Sequence, residues 1–295
     1  MKLRNAYDVA AYLFHQQMAR TRWIRWRQKS RPFVHRGDDG LSFRLHPPQL
    51  IDGYIFAEGI FERRLLRFLR RFLPRGRTML DIGANVGNHA IYLSRNFETV
   101  HCFEPNPVAV TRLTDNIRLN GVQNITVHPV GLGDVAADLP FHENTSGNLG
   151  ASSFARGNCD PSGTLPVVVG DAYLAEHKIR SIDFIKVDVE GFEPQVLRGL
   201  SRTIAEHQPI IVLEFDGTDT GVVRFDDIRS ALPGYHFAEA VRTSPKRGAI
   251  ARVLFVLENG IEPDLVEMSA PEPRFYDAIL ALPPSEAALI RGRVR

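Results

Sequence analysis

The chain has 295 residues, of which 44% are hydrophobic and 24% charged, and its formal net charge is only +2. So balanced a charge does not indicate a nucleic-acid-binding protein, and two cysteines are too few for a disulfide framework or a metal-ligand cluster. No run of eighteen apolar residues predicts a membrane span, and the first residues lack the continuous apolar core of a signal peptide. Length and composition therefore predict a soluble, cytoplasmic protein with one large α/β domain and an extension at each end.

The amino-terminal segment is basic. Residues 1–36 contain nine Lys or Arg but a single acid, Asp8. Residues 7–29 can form an amphipathic helix with Trp23 and Trp26 on one face. Two interpretations stay open. The helix packs its apolar side on the main domain, which we favour, or residues 1–31 make a weak peripheral contact with a membrane or an acidic partner.

Residues 31–49 are a connector rich in proline and glycine, with a short hairpin at most. Beyond it, apolar runs of strand length alternate with helical patterns, which predicts a parallel sheet wound in right-handed crossovers. We expect helices at 61–72, 88–95, 107–120, 172–177 and 194–206. We expect strands at 78–82, 99–103, 125–129, 167–169, 184–189 and 210–215, and a closing antiparallel pair at 235–240 and 252–257.

The turn after the first of these strands reads Asp-Ile-Gly-Ala-Asn-Val-Gly-Asn, from Asp81 to Asn88. Glycines at Gly83 and Gly87 permit a tight turn at which a ligand can approach the backbone. A dinucleotide-binding loop would have its second and third glycines where Asn85 and Asn88 stand, so the NAD fingerprint is not met. Asp81 would also lie near a pyrophosphate, where its charge is unfavourable.

A second acidic residue, Glu104, ends the next predicted strand, seventeen residues after Gly87. At that place a carboxylate binds the hydroxyls of a ribose. A cofactor with an ammonium and a sulfonium suits Asp81 better than a pyrophosphate does, and S-adenosylmethionine carries both together with an adenosine ribose. S-adenosylmethionine is therefore the predicted cofactor, and a merely structural turn is the alternative.

Residues 131–165 are rich in Gly, Ser, Asn and Asp. So long a polar segment inside a compact α/β domain is more often functional than idle. We expect it to cover the substrate, and a disordered or decorative insert is the alternative.

The predicted strand at 184–189 is unusual because Lys186, Asp188 and Glu190 recur at period two and so lie on one side. One interpretation is an ion pair between Lys186 and Asp188, with Glu190 capping the next helix. The other places Asp188 and Glu190 at the carboxyl end of the sheet, where ligands bind in doubly wound folds.

Four stretches of the chain, taken together, resemble one family. They are 80–87 Leu-Asp-Ile-Gly-Ala-Asn-Val-Gly, 103–106 Phe-Glu-Pro-Asn, 131–134 Gly-Leu-Gly-Asp, and 185–193 Ile-Lys-Val-Asp-Val-Glu-Gly-Phe-Glu with 196–199 Val-Leu-Arg-Gly. From Gly53 to Phe215 the chain resembles the FkbM-type methyltransferases. The resemblance implies an α/β fold, a doubly wound, mostly parallel, seven-stranded Rossmann-like sheet with an antiparallel closing strand, preceded by an amino-terminal helical extension. It also implies methyl transfer from S-adenosylmethionine, usually to an oxygen, and names no acceptor.

Residue types and resemblance together predict two sets of site residues. The cofactor-binding set is Asp81, Gly83, Ala84, Asn85, Gly87, Asn88, Glu104, Asn106, Gly133 and Asp134. The catalytic set is Lys186, Asp188, Glu190 and Glu214. Asp188 ranks first as the base that takes the proton of an acceptor hydroxyl, ahead of Glu214, His89 and His142. No metal is expected, and a divalent cation held by Asp188 and Glu214 is the alternative.

For domain organisation we expect an extension at 1–50, the methyltransferase domain at 51–260 and a helical tail at 261–295. The predicted acceptor is a small molecule, a sugar or a lipid-linked sugar, and no nucleic acid. Two other classes stay open: a nicotinamide-dependent oxidoreductase, which Asp81 and the missing glycines disfavour, and a cofactor-binding module without catalysis.

Overall fold

The computed structural model of the chain describes residues 19, 21–144, 152–154, 161–218, 221–241 and 264–291. The strands are β1 (Phe33–Arg36), β2 (Ser42–Leu45), β3 (Gly76–Ile82), β4 (Phe97–Phe103), β5 (Ile125–His128), β6 (Gly131–Gly133), β7 (Ala137–Phe141), β8 (Gly163–Val169), β9 (Ile182–Val187), β10 (Ile210–Asp216), β11 (His236–Val241), β12 (Asp264–Glu267) and β13 (Phe275–Leu282). The labelled α-helices are α1 (Leu50–Glu58), α2 (Arg63–Phe72), α3 (Asn88–Leu93), α4 (Pro107–Leu119), α5 (Gly170–Glu176), α6 (Glu193–Gly199), α7 (Ser201–His207), α8 (Phe225–Ala231) and α9 (Ala288–Arg291).

Five neighbouring strands of the central sheet, in the order β5, β4, β3, β9 and β10, are parallel. The middle strand β3 has Leu80 opposite His101 of β4 and Ile185 of β9. Its side chains alternate between the two faces, so Met79 packs in one hydrophobic cluster and Leu80 in the other. Helices cover both faces, which is why these strands are apolar almost throughout. Their carboxyl ends meet at one edge of the sheet.

The central sheet continues beyond β10 with β13, β11 and β12, and each of these pairs is antiparallel. The predicted fold class, a doubly wound Rossmann-like sheet with an antiparallel strand, is confirmed, and the edge strand β12 raises the strand count from the expected seven to eight. The strand predicted at 252–257 lies outside the described residues.

The prediction of a helical tail at 261–295 is wrong for most of its described part. Residues 264–267 and 275–282 are the strands β12 and β13. The run Phe-Tyr-Asp-Ala-Ile-Leu-Ala-Leu in β13 is apolar almost without interruption because it lies inside the sheet, between β10 and β11. Periodicity alone cannot distinguish such a run from a buried helix.

The polar segment at 131–165 is in part a small sheet, with β8 between β6 and β7. A bridge between His142 and Ser153 holds residues 152–154 beside it. Residues 145–151 and 155–160 lie outside the described residues, so the covering role of this segment stays a prediction.

The connector at 31–49 contains the expected hairpin, since β1 and β2 pair in antiparallel register with Phe33 opposite Leu45. The helix α1 that follows was not predicted. Its residues are mostly apolar and lie on all sides of the helix, so the sequence Leu-Ile-Asp-Gly-Tyr-Ile-Phe-Ala-Glu shows no helical period.

Residues 21–26 are helical, whereas most of the helix predicted at 7–29 lies outside the described residues. Trp26 is only 5% exposed and packs on Phe33 and Phe56, with ring centroids 6.3 and 5.8 Å away. This contact supports the packing interpretation for the described end of the segment. No helix of the described residues has the length and apolar character needed to cross a membrane.

Candidate active site

A cavity of about 670 Å³ opens at the carboxyl ends of the parallel strands. One part of its wall comes from the ends of β3, β4, β9 and β10, including Phe103 and Val187. Another part comes from α1, α2 and the turn between them, which contribute Tyr54, Leu65 and Phe61 respectively. This edge of a doubly wound sheet is where ligands bind, and the volume is that of a small-molecule site.

Gly83 stands where β3 reaches the cavity, in the left-handed conformation with φ of 80°. A Cβ at this position would lie 1.8 Å from the carbonyl oxygen of Asp188. The N–H groups of Gly83 and Ala84 also donate to the carbonyl of Phe103, at 2.9 and 3.2 Å. Glycine is therefore required by the contact between the loop and the end of β9, a reason that differs from the expected approach of a cofactor.

Glu104 ends β4 and faces the cavity. Its carboxylate accepts hydrogen bonds from the N–H groups of Asn85 and Asn106, each at 2.9 Å. Burial raises the pKa of the Glu104 carboxyl to about 7, and these two hydrogen bonds lower it only in part. Each oxygen keeps a further lone pair, so the carboxylate can accept hydrogen bonds from the two hydroxyls of a ribose.

The loop around Glu104 fits the predicted cofactor in a second way. Asn85 lines the cavity in the left-handed conformation, and its Oδ1 is buried without a hydrogen-bond partner among the described residues. Such an acceptor suits a donor from a ligand, as an ammonium group provides. Asn106 also lines the cavity, but its side chain is engaged locally because it accepts from the N–H of Val108 and caps α4.

Lys186 connects two carboxylates beneath the cavity. Its Nζ lies 2.8 Å from Asp188 Oδ2 and 3.7 Å from Oδ1 of Asp81, which is fully buried. Although burial favours the neutral amine, Asp188 and Asp81 raise the pKa of Lys186, so the ammonium form persists. The predicted ion pair between Lys186 and Asp188 is therefore present. Asp188 also lines the cavity, so in this strand the ion pair and the position at the ligand-binding edge of the sheet occur together.

Asp188 and Glu214 share one hydrogen bond between neighbouring strand ends. Burial, and then the charge of Asp188, raise the pKa of the Glu214 carboxyl far above its usual range, so Glu214 is protonated at neutral pH. Burial acts in the same sense on Asp188, but the Lys186 ammonium and the hydrogen bond from Glu214 outweigh it and hold the pKa of Asp188 below its usual range. The pair therefore presents one ionised and one protonated carboxyl group.

Glu190 completes this acidic group. One carboxylate oxygen from each of Asp188, Glu190 and Glu214 lies within 4.8 Å of the others. Glu190 adopts the left-handed conformation, and Ser153 Oγ donates to its carbonyl oxygen at 2.6 Å. Glu190 does not cap α6 as the structural interpretation expected; the carboxylate of Glu193 instead accepts from backbone N–H groups just before that helix.

Several predicted cofactor-binding residues do not reach the cavity. Asp134 accepts a hydrogen bond from Arg198 Nε at 2.7 Å, and Gly133 packs its carbonyl against Gly199. From this stretch, Gly131 and Leu132 line the cavity in their place. Asp81, Ala84, Gly87 and Asn88 likewise belong to the supporting structure and do not line the cavity in the described part of the chain.

The two helices before β3 supply site residues that sequence patterns did not reveal. Glu62, between α1 and α2, binds His89 Nε2 at 2.8 Å through Oε2, and both residues line the cavity. The side chain of Asn88 binds the backbone N–H and carbonyl of Phe61 at 2.9 and 3.0 Å. In the sequence these residues belong to the helical pattern at 61–72. Such a pattern predicts packing of the helix but does not indicate a role in a site.

A doubly wound sheet with a glycine turn after its first parallel strand and a carboxylate after the second is typical of the class of Rossmann-like methyltransferases. Comparison with known families agrees. The methyltransferase FkbM domain matches residues 81–239, more than half of the chain, and the chain belongs to this family. The predicted family and its methyltransferase class are thereby confirmed.

Two proteins that are similar to this chain are named as methyltransferases of a stated substrate or position. The chain is 30% identical over 161 residues to the hexuronic acid methyltransferase AglP of Haloferax volcanii, an alignment that covers 54% of this chain and 64% of the relative. It is 27% identical over 176 residues to the 2-O-methyltransferase NoeI of Sinorhizobium fredii, covering 51% of this chain and 70% of that protein. The crystal structure of methyltransferase FkbM from Methylobacillus flagellatus KT superposes with a TM-score of 0.45 at 18% identity, over 71% of this chain and 44% of that one.

Proposed function

We propose that the protein methylates a hydroxyl oxygen of a sugar with S-adenosylmethionine as donor. The observation that carries this proposal is that one cavity joins the Glu104 carboxylate to the hydrogen-bonded pair Asp188 and Glu214. S-adenosylmethionine supplies an activated methyl group on sulfur, so the protein's main task is to bind and align the acceptor.

The residues of the cavity divide this task between them. Glu104 and Asn85 bind the cofactor on the side of β3 and β4. Asp188 accepts a hydrogen bond from one hydroxyl of the sugar, and the carbonyl oxygen of the Glu214 carboxyl group accepts one from the neighbouring hydroxyl. Tyr54 and Phe61 offer apolar ring surfaces against which a sugar ring packs. Lys186 keeps Asp188 ionised by its ammonium charge.

The relatives support a sugar acceptor, since one is named for hexuronic acid and another for a 2-O position. We extend the proposal to a lipid-linked sugar because the cations Arg25, Arg27 and Lys29 and the apolar Ile24 are exposed. They belong to the segment whose Trp23 packs on Tyr54 of the cavity wall, with ring centroids 5.0 Å apart. Cations beside exposed apolar side chains favour an anionic membrane surface.

The test is a screen of acceptors by mass spectrometry. The protein is incubated with S-adenosylmethionine and free hexoses, hexuronic acids, amino sugars and lipid-linked sugars. We expect the mass of one methyl group to be gained by a sugar and by no nucleic acid or protein control. Binding of S-adenosylmethionine without methyl transfer to any sugar would instead support a binding module, and binding of NADH in its place an oxidoreductase.

A further inference from the structure

His89 and Glu62 form a buried hydrogen-bonded pair at the wall of the cavity. His89 lies in the first turn of α3 and is 7% exposed. Its Nε2 lies 2.8 Å from Oε2 of Glu62, the residue that precedes α2. Glu62 adopts the left-handed conformation with φ of 51°, a conformation that costs energy outside glycine and is concentrated at functional sites.

The orientation of the imidazole is fixed by its surroundings. Asn88 binds both backbone polar groups of Phe61, so the segments that carry Glu62 and His89 are held together by three hydrogen bonds. Within the described part of the chain, His89 Nδ1 has no hydrogen-bond partner, and it is not among the fully buried polar atoms. This nitrogen is therefore available to a ligand in the cavity.

The carboxylates nearby are poor proton acceptors. Asp188 is ionised but paired with Lys186, which weakens it as a base, and Glu214 already carries a proton. A general base works best when its pKa lies near the working pH, and imidazole is the side chain whose ordinary pKa does. His89 is the histidine that lines the cavity in the described part of the chain. Glu104, whose pKa is raised to about 7, is instead held by the N–H groups of Asn85 and Asn106 on the side proposed for the cofactor.

We propose that His89, oriented by Glu62, is the general base of the hydroxyl methylation, an inference that rests on the function proposed above. As the acceptor oxygen bonds to the methyl carbon, the bond from sulfur to that carbon breaks and its electron pair stays on sulfur. The hydroxyl proton passes to Nδ1 of neutral His89. The resulting imidazolium donates from Nε2 to the Glu62 carboxylate, which balances its charge.

Charged groups from three parts of the fold lie around His89. Glu62 lies just before α2, Glu58 lines the same wall from α1, and Asp188 with Lys186 lies at the end of β9. The Glu62 carboxylate is the group that hydrogen-bonds the imidazole, so it is the counter-ion of the imidazolium formed in this step.

The first test replaces the imidazole. His89→Gln keeps a donor toward Glu62 but has no group that accepts a proton. With the acceptor found in the screen, kcat should fall about 100-fold or more, the usual span for general base catalysis, while S-adenosylmethionine affinity and Tm stay close to wild type. The wild-type kcat should rise about tenfold per pH unit below its apparent pKa, and that rise should vanish in His89→Gln.

Three further variants distinguish catalysis from a structural role. Glu62→Gln should shift the pH profile of kcat to lower pH, because the imidazolium loses its partner charge. Asn88→Ala removes the two hydrogen bonds to the backbone of Phe61 but keeps the hydrogen bond between His89 and Glu62. This variant should lower Tm but keep the shape of the pH profile of kcat. Asp188→Asn should also keep the slope of the pH profile of kcat. Loss of that slope in Asp188→Asn would show that Asp188 is the base and would overturn the proposal.

A readout without turnover completes the test. In the cofactor-free protein, the nitrogen resonances of the neutral His89 imidazole, assigned by their absence in His89→Gln, should show the proton on Nε2 and none on Nδ1, the tautomer that the hydrogen bond to Glu62 requires. A proton on Nδ1, or a His89→Gln variant with wild-type kcat and pH profile, would overturn the role of His89. A wild-type protein that methylates no acceptor would refute the proposed function instead, while the tautomer could still show the pair of His89 and Glu62.

Discussion

At the scale of single residues, burial and neighbours decide which carboxyl groups of the cavity are charged. Glu104, Asp188 and Glu214 are all carboxyl groups at neighbouring strand ends, yet their proton affinities differ. Burial raises the pKa of Glu104 to about 7, the ammonium of Lys186 holds the pKa of Asp188 low, and burial beside Asp188 raises the pKa of Glu214 far above its usual range. Separated pKa values among adjacent groups are typical of functional sites, where each group has its own role.

The pKa of Glu104 predicts how cofactor affinity depends on pH. Hydroxyl donors need the ionised carboxylate, so S-adenosylmethionine should bind about tenfold more weakly for each pH unit below 7, where the group must first lose a proton. Glu104→Gln should bind more weakly at pH 8 by about 1.5–3 kcal/mol and should lose this component of the pH dependence. Calorimetric titrations at pH 6, 7 and 8 measure both effects.

Glu193 provides the matched control for that experiment. It too is a buried carboxylate that accepts from two backbone N–H groups, those of Val189 and Gly191, but it does not line the main cavity in the described part of the chain. Glu193→Gln should therefore change Tm and leave the pH dependence of binding as in the wild type. An unchanged affinity in Glu104→Gln would contradict the assignment of Glu104 to the ribose.

Sequence patterns reveal residues at strand ends better than residues brought in by other elements. Glu104 and Asp188 were found because each follows an apolar run at a spacing with a known use. Glu62 was missed because it precedes the sheet in the chain and reaches the site only through the packing of α2 on α3. Asp134 was assigned to the cofactor by motif, but the structure pairs it with Arg198, 64 positions away.

At the scale of elements, the ends of β3, β4 and β9 support one another through the backbone. The N–H of Gly83 donates to the carbonyl of Phe103, the N–H of Asp188 donates to the carbonyl of Ile82, and Gly83 has no room for a side chain. The glycine loop at 83–87 and the strand end that carries Asp188 therefore cannot move independently. A change on one strand end displaces the other.

The coupling predicts the effect of Gly83→Ala. The added methyl would meet the carbonyl oxygen of Asp188 at 1.8 Å, so the loop must move. Gly40 is the matched control, because its φ is also 80° but nothing lies within 4 Å of its Cβ position. Gly40→Ala should cost about 1–2 kcal/mol of stability from the left-handed backbone alone and keep cofactor binding. Gly83→Ala should lose more stability and most of the binding, as thermal unfolding and calorimetry would measure. Equal stability and equal binding in the two variants would show that the close contact does not matter.

The sequence pattern predicts the parallel half of the sheet and, from the antiparallel half, β11 at the expected 235–240, but it does not predict β12 or β13. β3, β4, β5, β9 and β10 each lie near a predicted strand because a buried parallel strand reads as a bounded apolar run. β13 comes last of the strands in the chain but lies inside the sheet, between β10 and β11. Local sequence cannot indicate that order, since it depends on pairing between residues about seventy positions apart, as with Leu213 and Ile279.

At the scale of the whole molecule, charge is divided along the chain. Residues 1–77 contain 17 of the 36 Lys and Arg but 6 of the 34 acids. The small net charge of the chain is therefore the sum of a basic first part and an acidic remainder. The helices α1 and α2 within this basic part form one wall of the cavity, while acidic residues from the sheet form another. Among the described residues of the basic part, Arg25 and Arg27 are exposed, whereas Glu104, Asp188 and Glu214 of the sheet line the cavity.

Separate variants of the amino-terminal segment can test its two roles. Removal of residues 1–30 takes away Trp26, whose indole is buried against Phe33 and Phe56, and a buried Trp is worth about 3–5 kcal/mol, so Tm should fall by several degrees. Arg25 and Arg27 are exposed, so replacing both by Glu should leave Tm nearly unchanged. The same replacement should reduce sedimentation with phosphatidylglycerol vesicles, because each cation near an anionic surface is worth about 1 kcal/mol, and should not affect the weaker sedimentation with phosphatidylcholine vesicles.

A truncated protein with the wild-type Tm would refute the packing role. Wild-type sedimentation of the double Glu variant with anionic vesicles would refute the membrane contact and leave the segment as part of the domain's packing.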